Sequence, residues 1–109
     1  MNPTPLTPAV LDLLADRFRV LGEPARLALL QALRRAPRTV GELAHETGLS
    51  PANVSKHLQI LHAARFVARR KRGLYVYYGL AGSDIFRLCD ILCDRLAAEA
   101  RRQQEALAP

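Results

Sequence analysis

The sequence predicts a mainly α-helical domain with one small β-hairpin, in the order α-α-α-α-β-β-α. Three observations predict it. Residues 39–64 read as two short helices joined by a tight turn at Gly48, the second helix polar on its outer face. Residues 66–78 then switch to β-branched and aromatic runs separated by Lys71-Arg72-Gly73, the pattern of a hairpin. On either side of these, apolar residues recur at helical spacing. A helix-turn-helix followed by a basic hairpin is a winged helix-turn-helix, a fold that lays its second helix in the DNA major groove.

At 109 residues the chain reads as a single domain spanning 1–109, with the helix-turn-helix at 39–64 and the wing at 66–79. The net charge of +6 favours a polyanionic partner. The start, MNPTPLTPAV, lacks the basic lead and apolar core of a signal peptide. The apolar stretches are too short to span a bilayer. Two cysteines with no secretory signal point to a reducing cytoplasm and no membrane partner. No glycine-rich phosphate loop, nucleophile elbow or zinc-finger spacing is present, so no enzyme class is indicated.

Residues 1–6, with Pro3 and Pro5, are expected to be extended or frayed. Thr7 and Pro8 form a cap and first-turn pair. The helix they start, 7–21, carries Val10, Leu11, Leu14, Phe18 and Leu21 on one stripe and stops at Gly22. A second helix begins at Glu23-Pro24, with Leu27, Leu30, Ala32 and Leu33 as its expected buried face, and ends at Arg34-Arg35 before Pro37. Thr39 with Glu42 makes a capping box for the third helix, whose apolar residues are Val40, Leu43 and Ala44. Gly48 stops it, and Ser50-Pro51 caps the fourth, which buries Val54, Leu58 and Leu61. After the hairpin, a helix over 84–105 places Ile85, Leu88, Leu92 and Leu96 on one stripe, then frays before Pro109.

The fourth helix leaves Ala52, Asn53, Ser55, Lys56, His57 and Gln59 on or beside its outer face. Ser55, Lys56 and His57 are the first candidates for DNA contact, followed by Asn53 and Gln59, with Ser50 at the cap. Asn and Gln pair bidentately with adenine, Ser reads several bases, and Lys favours phosphate. His57 has a competing structural reading, packing or capping against the preceding helix. His62 lies at another angle and reads as a surface or hinge residue. Arg65, Arg69, Arg70, Lys71 and Arg72 crowd five cations into eight residues. They are either a solvated edge that discourages sheet aggregation or a wing that meets phosphates, with Arg70, Lys71 and Arg72 supplying affinity and Gly73 positioning the tip.

These elements resemble the ArsR/SmtB family of small winged-helix repressors over nearly the whole chain. The residues that carry the resemblance are LGEPARLALLQAL (21–33), ELAHETGLSPANVSKHLQILHAARFV (42–67) and RRKRGLYVYYGL (69–80). The family's L-S-x-x-x-V-S-x-H-L-x-x-L pattern is met by Leu49-Ser50, Val54-Ser55, His57-Leu58 and Leu61. One departure is Arg65-Phe66, where the family has Gly-Leu; Arg65 must take whatever backbone geometry Gly provides, or the turn differs. The resemblance implies a homodimer built from the helices at 7–21 and 84–105, acting as a repressor on an imperfect palindrome in double-stranded DNA. Both terminal helices have apolar stripes wider than one small domain covers.

Members of the family that the chain resembles commonly release DNA when a metal, metalloid or oxidant meets sites in the helix-turn-helix or the last helix. Here the stretch matching the family's cysteine site, Glu42-Leu43-Ala44-His45-Glu46, holds no thiol. The last helix lacks the zinc-sensing ligand set: Asp84 is present, but Arg95 and Ala98 stand at later positions. What remains is Cys89 and Cys93, one turn apart on one helix face. Helical i, i+4 Cβ atoms lie roughly 5–6 Å apart, whereas a disulfide wants about 3.5–4.5 Å. Thiolates select soft ions, and metal–sulfur bonds of about 2.3 Å tolerate that separation. The expectation is therefore no required cofactor and a thiophilic inducer, As(III) first, with a third ligand from the dimer mate, another residue or solvent. Oxidant or reactive-sulfur sensing through the same thiols, no inducer at all with both thiols as small hydrophobes, and a protein-interaction module are the alternatives.

Overall fold

The computed structural model describes residues 5–108, so the expected extended run at 1–6 lies mostly outside the described residues, as does Pro109. The elements are α1 (Pro8–Leu21), α2 (Pro24–Leu33), α3 (Val40–Thr47), α4 (Pro51–Ala63), β1 (Val67–Arg72), β2 (Tyr75–Leu80) and α5 (Asp84–Leu107).

Local chemistry sets the helix starts. Thr7 accepts the Val10 N–H at 3.3 Å with Pro8 in the first helical position. Thr39 and Glu42 close the capping box, Thr39 Oγ1 accepting from Glu42 N at 3.2 Å and Glu42 Oε1 accepting from Thr39 N at 3.0 Å. The backbone bond from Thr39 holds the Glu42 carboxyl below the usual carboxylate range, helped by the Thr39 hydroxyl. Ser50 accepts the Asn53 N–H at 3.2 Å ahead of Pro51. Gly48, at φ +76°, makes the left-handed turn between α3 and α4.

The core lies where α2, α3 and α4 meet. Leu29, Leu30, Leu43, Val54, Leu58 and Leu61 are all but fully buried, each stabilising the fold by about 1.5–3 kcal/mol. On α2 the expected face is partly wrong. Leu30, Ala32 and Leu33 are buried, but Leu27 is 40% exposed and Leu29 takes the inner position. The sequence RLALLQAL is apolar nearly all round, so the packing of α3 and α4 on this helix decides which leucine goes inside.

The hairpin also differs in its turn. Lys71 and Arg72 belong to β1, paired with Val76 and Tyr75, and the loop is only Gly73-Leu74. Gly73 has φ +60° and Leu74 does not share the positive sign, the pattern of a two-residue turn with Gly leading. Arg38 adds a bridge to β2, exchanging two 2.8 Å backbone bonds with Tyr78, and its side chain pairs with Glu46 at 3.1 Å. The hairpin is thereby fastened to the start and end of α3.

The junction of α4 with the wing is where the sequence departs from the family pattern. Arg65 adopts φ +67°, the left-handed conformation that Gly takes more easily. Its N–H donates to His62 O at 3.0 Å and the Phe66 N–H donates to Leu61 O at 2.9 Å, a Schellman cap with Arg in the glycine position. Arg65→Gly is expected to stabilise the protein by about 0.5–1 kcal/mol and to raise the melting temperature by roughly 2–6 °C in thermal unfolding. An unchanged or lower midpoint would show that Arg65 is not strained.

The terminal helices leave much of their apolar stripes open. On α1, Leu11, Leu14 and Phe18 are exposed and only Leu21 is buried. On α5, Ile85 and Phe86 are buried and Leu88 is half-buried, whereas Ile91, Leu92 and Leu96 are 59%, 52% and 63% exposed. The radius of gyration is 17.2 Å, against roughly 13 Å for a compact domain of this length. A 24-residue helix held mainly by its first two turns accounts for the difference.

Candidate nucleic-acid interface

On α4, burial of Val54, Leu58 and Leu61 turns the opposite side outward. Lys56 sits at the middle of that side, with Ala52, Asn53 and Gln59 exposed around it. Ser55 and His57 flank the exposed face and are half-buried. Ser50 is exposed, but its oxygen is used by the cap, leaving its O–H as a donor. The face therefore offers amide, ammonium and hydroxyl groups in reach of the helix N-terminal half, the part that meets base edges when such a helix enters the major groove.

The wing carries its cations on two faces. Register pairs Ala68 with Gly79, Arg70 with Tyr77 and Arg72 with Tyr75, so Arg70 and Arg72 share one face. Arg69 and Lys71 lie on the other face, with Val67, and Arg69 stacks on the Tyr78 ring at 5.9 Å. All four cations are exposed, and Leu74 at the tip is 95% exposed. Beside the wing lies a cleft of about 370 Å³ formed by Arg34, Arg35, Arg70, Arg72 and Tyr77 over an apolar floor, with no acidic residue in its lining. Ala68 and Gly79, paired across the hairpin, also line it. In the sequence Arg34 and Arg35 mark only the end of α2; their place next to the wing depends on the later return of the chain. Arg34 also stacks on Phe86 at 4.5 Å, anchoring the start of α5.

His57 does have a structural partner, though not on the preceding helix. Its Nδ1 accepts from Arg26 Nε on α2 at 3.2 Å. Nothing local in the sequence marks Arg26, because its partner is 31 residues away.

Cys89 is half-buried against the core and Cys93 is exposed, both as free thiols on α5. They stand apart from the α4 and wing residues, on the helix whose apolar stripe is open. Among the described residues of one chain, no three His, Cys, Asp or Glu side chains come together to hold a metal ion. Nor is any described helix long and apolar enough to cross a membrane.

A family model for bacterial regulatory proteins of the arsR family matches residues 23–69. The uncharacterized HTH-type transcriptional regulator Rv0081 of Mycobacterium tuberculosis is 36% identical over 92 residues, covering 76% of this chain and 81% of that protein. Its crystal structure superposes with a TM-score of 0.76 at 33% identity, over 94% of this chain and 100% of that one. The HTH-type transcriptional repressor SmtB of Mycobacterium tuberculosis is 35% identical over 95 residues, covering 87% of this chain and 68% of the repressor. A homodimeric winged helix-turn-helix DNA-binding domain, Mb0332 from Mycobacterium bovis, superposes with a TM-score of 0.73 at 29% identity, over 91% and 90% of the two chains. With four helices, a basic hairpin and a last helix in this order, the chain belongs to the ArsR/SmtB family of winged helix-turn-helix transcriptional regulators, which are DNA-binding proteins and not enzymes.

Proposed function

We propose that the chain acts as a homodimeric repressor that reads an imperfect palindrome with α4 and holds the flanking phosphates with its wing. The observation that carries this reading is the exposed face of α4, where Asn53, Lys56 and Gln59 stand on a capped, well-packed helix, in a chain whose wing also carries exposed Arg70, Lys71 and Arg72. Dimerisation through α1 and α5 follows from their open leucines and Phe18, which a second copy would cover; the similar Mycobacterium bovis domain is itself homodimeric. A gel-shift titration against salt separates this reading from a protein-interaction module: binding that weakens steeply with salt supports it, and no duplex binding at low salt rejects it.

The signal enters at Cys89 and Cys93. Among the described residues one chain presents two thiols on one helix face and no cluster of three ligating side chains, so a closed shell for As(III) or another soft ion takes its remaining ligand from the second copy or from solvent. A ligand bound there biases the dimer only by its difference in affinity between the DNA-bound and released forms. Binding of a selected duplex is to be measured with As(III), Cd(II), Zn(II) and an oxidant. Release by As(III) in wild type and none in Cys89→Ser/Cys93→Ser is expected; release by oxidant alone assigns the same thiols to redox sensing, and equal responses in both proteins remove the cysteines from the mechanism.

A further inference from the structure

We propose that Arg26 is a positioning residue for DNA reading: it holds His57 in the tautomer protonated on Nε2 and so decides which DNA atoms that side chain can meet. The inference rests on the reading of α4 as the DNA-contacting helix. Arg26 lies in the first turn of α2 and is half-buried. Its Nη1 donates to Val20 O at 2.9 Å and to Arg19 O at 3.5 Å, carbonyls in the last turn of α1. There the cation gives the Val20 carbonyl, which the last turn of α1 leaves without a backbone donor, a partner, and it lies at the negative end of the helix dipole. With that end fixed, its Nε is aimed at α4 and donates to His57 Nδ1 at 3.2 Å.

The chemistry of this bond allows one state of the ring. An arginine guanidinium carries donors only and does not lose its proton in proteins. Nδ1 must therefore be the acceptor, the imidazole is neutral, and its single proton is on Nε2. The other tautomer, or the doubly protonated ring, would set N–H against N–H. Among the described residues the ring makes no second hydrogen bond, so Nε2–H is the group left for DNA. As a donor it matches purine N7, guanine O6, thymine O4 or a phosphate oxygen, and is mismatched to the amino groups of adenine and cytosine. Arg26, which by this reading touches no base, thus sets the polarity of one position in the reading face. It also makes α1, α2 and α4 meet at a single guanidinium, so the angle of the reading helix depends on the end of α1.

The test uses the full chain and a duplex selected by the wild-type protein from a random pool. Long-range ¹H–¹⁵N spectra of the free protein at neutral pH are expected to show His57 as one tautomer, protonated at Nε2. Arg26→Met is expected to give a mixture of tautomers and to weaken duplex binding about tenfold, the effect of losing a hydrogen bond to a charged donor. Arg26→Lys keeps the cation at the end of α1 but lacks the planar Nε–H; it is expected to fold normally and to lose the single tautomer as well, which covers the case in which Arg26→Met fails to fold. In a His57→Ala background the Arg26→Lys change is expected to alter affinity less than about twofold, because its effect runs through the ring. A wild-type ring protonated at Nδ1, an Arg26→Lys ring that stays in one tautomer, or losses that multiply in the double variant would each overturn the proposal. If no duplex is selected at all, the reading of α4 fails and takes the DNA half of this inference with it. If duplex binding is strong and the losses multiply, only the role of Arg26 fails.

Discussion

Leu92→Glu with Leu96→Glu is expected to yield a folded monomer that has lost at least about a hundredfold in affinity for its duplex. Both side chains are more than half exposed on the single chain and outside its core, so glutamate there leaves the helical spectrum and cooperative unfolding in place. In a two-fold dimer the same substitutions put four carboxylates into an apolar seam, where unpaired charge is strongly disfavoured. The affinity falls because two half-site contacts on one rigid body bind far more tightly than one, by about 10²–10⁴-fold in general. Sedimentation and fluorescence anisotropy measure the two effects on one sample. A dimer that persists with both glutamates would move the interface away from α5.

Lys71→Ala with Arg72→Ala is expected to weaken binding to every duplex sequence and to flatten the salt dependence. Removing one phosphate-bound cation lowers the log–log salt slope by about 0.9 per chain. Asn53→Ala and Gln59→Ala are expected to behave differently, costing about 1–3 kcal/mol on the preferred sequence and much less on others. The register sharpens the first expectation, because Lys71 and Arg72 lie on opposite faces of the hairpin. One row of phosphates meets one face, so the single substitutions should be unequal, and Arg70→Ala should follow Arg72→Ala. Unchanged affinity and slope in the double variant would leave the wing as a solvated sheet edge.

What is legible in the sequence is what short-range chemistry determines. The caps at Thr7, Thr39 and Ser50 and the stop at Gly48 involve neighbours a few residues away, and all are present. The buried row Val54, Leu58 and Leu61 is legible because α4 has a clear polar side to contrast with it. On α2 no such contrast exists, and Leu29 displaces Leu27 for reasons held in α3 and α4. The sequence makes the turn at Gly73 too wide on the strand side, because basic residues look like loop residues while on an edge strand they extend the ladder equally well. Arg65 is legible as a departure, and the structure shows how it is met: the chain keeps the glycine conformation without the glycine.

The proposed reading site is legible in residue type and less so in arrangement. Asn53, Lys56 and Gln59 stand where the helical period puts them, whereas the Arg26 bond to His57 and the arginine cleft beside the wing require elements distant in sequence to come together. The cysteine pair is legible as a pair, and among the described residues of one chain no third ligating side chain gathers with it.

Whether a two-fold dimer reads DNA with α4 is decided by footprinting the wild-type protein on its selected duplex. Two symmetry-related protected segments are expected in the major groove, with centres about one helical turn, roughly 34 Å, apart. Lys56→Ala/Gln59→Ala is expected to abolish both together. One protected segment per bound complex, or a footprint unaffected by those α4 substitutions, is incompatible with a dimer that reads through this helix.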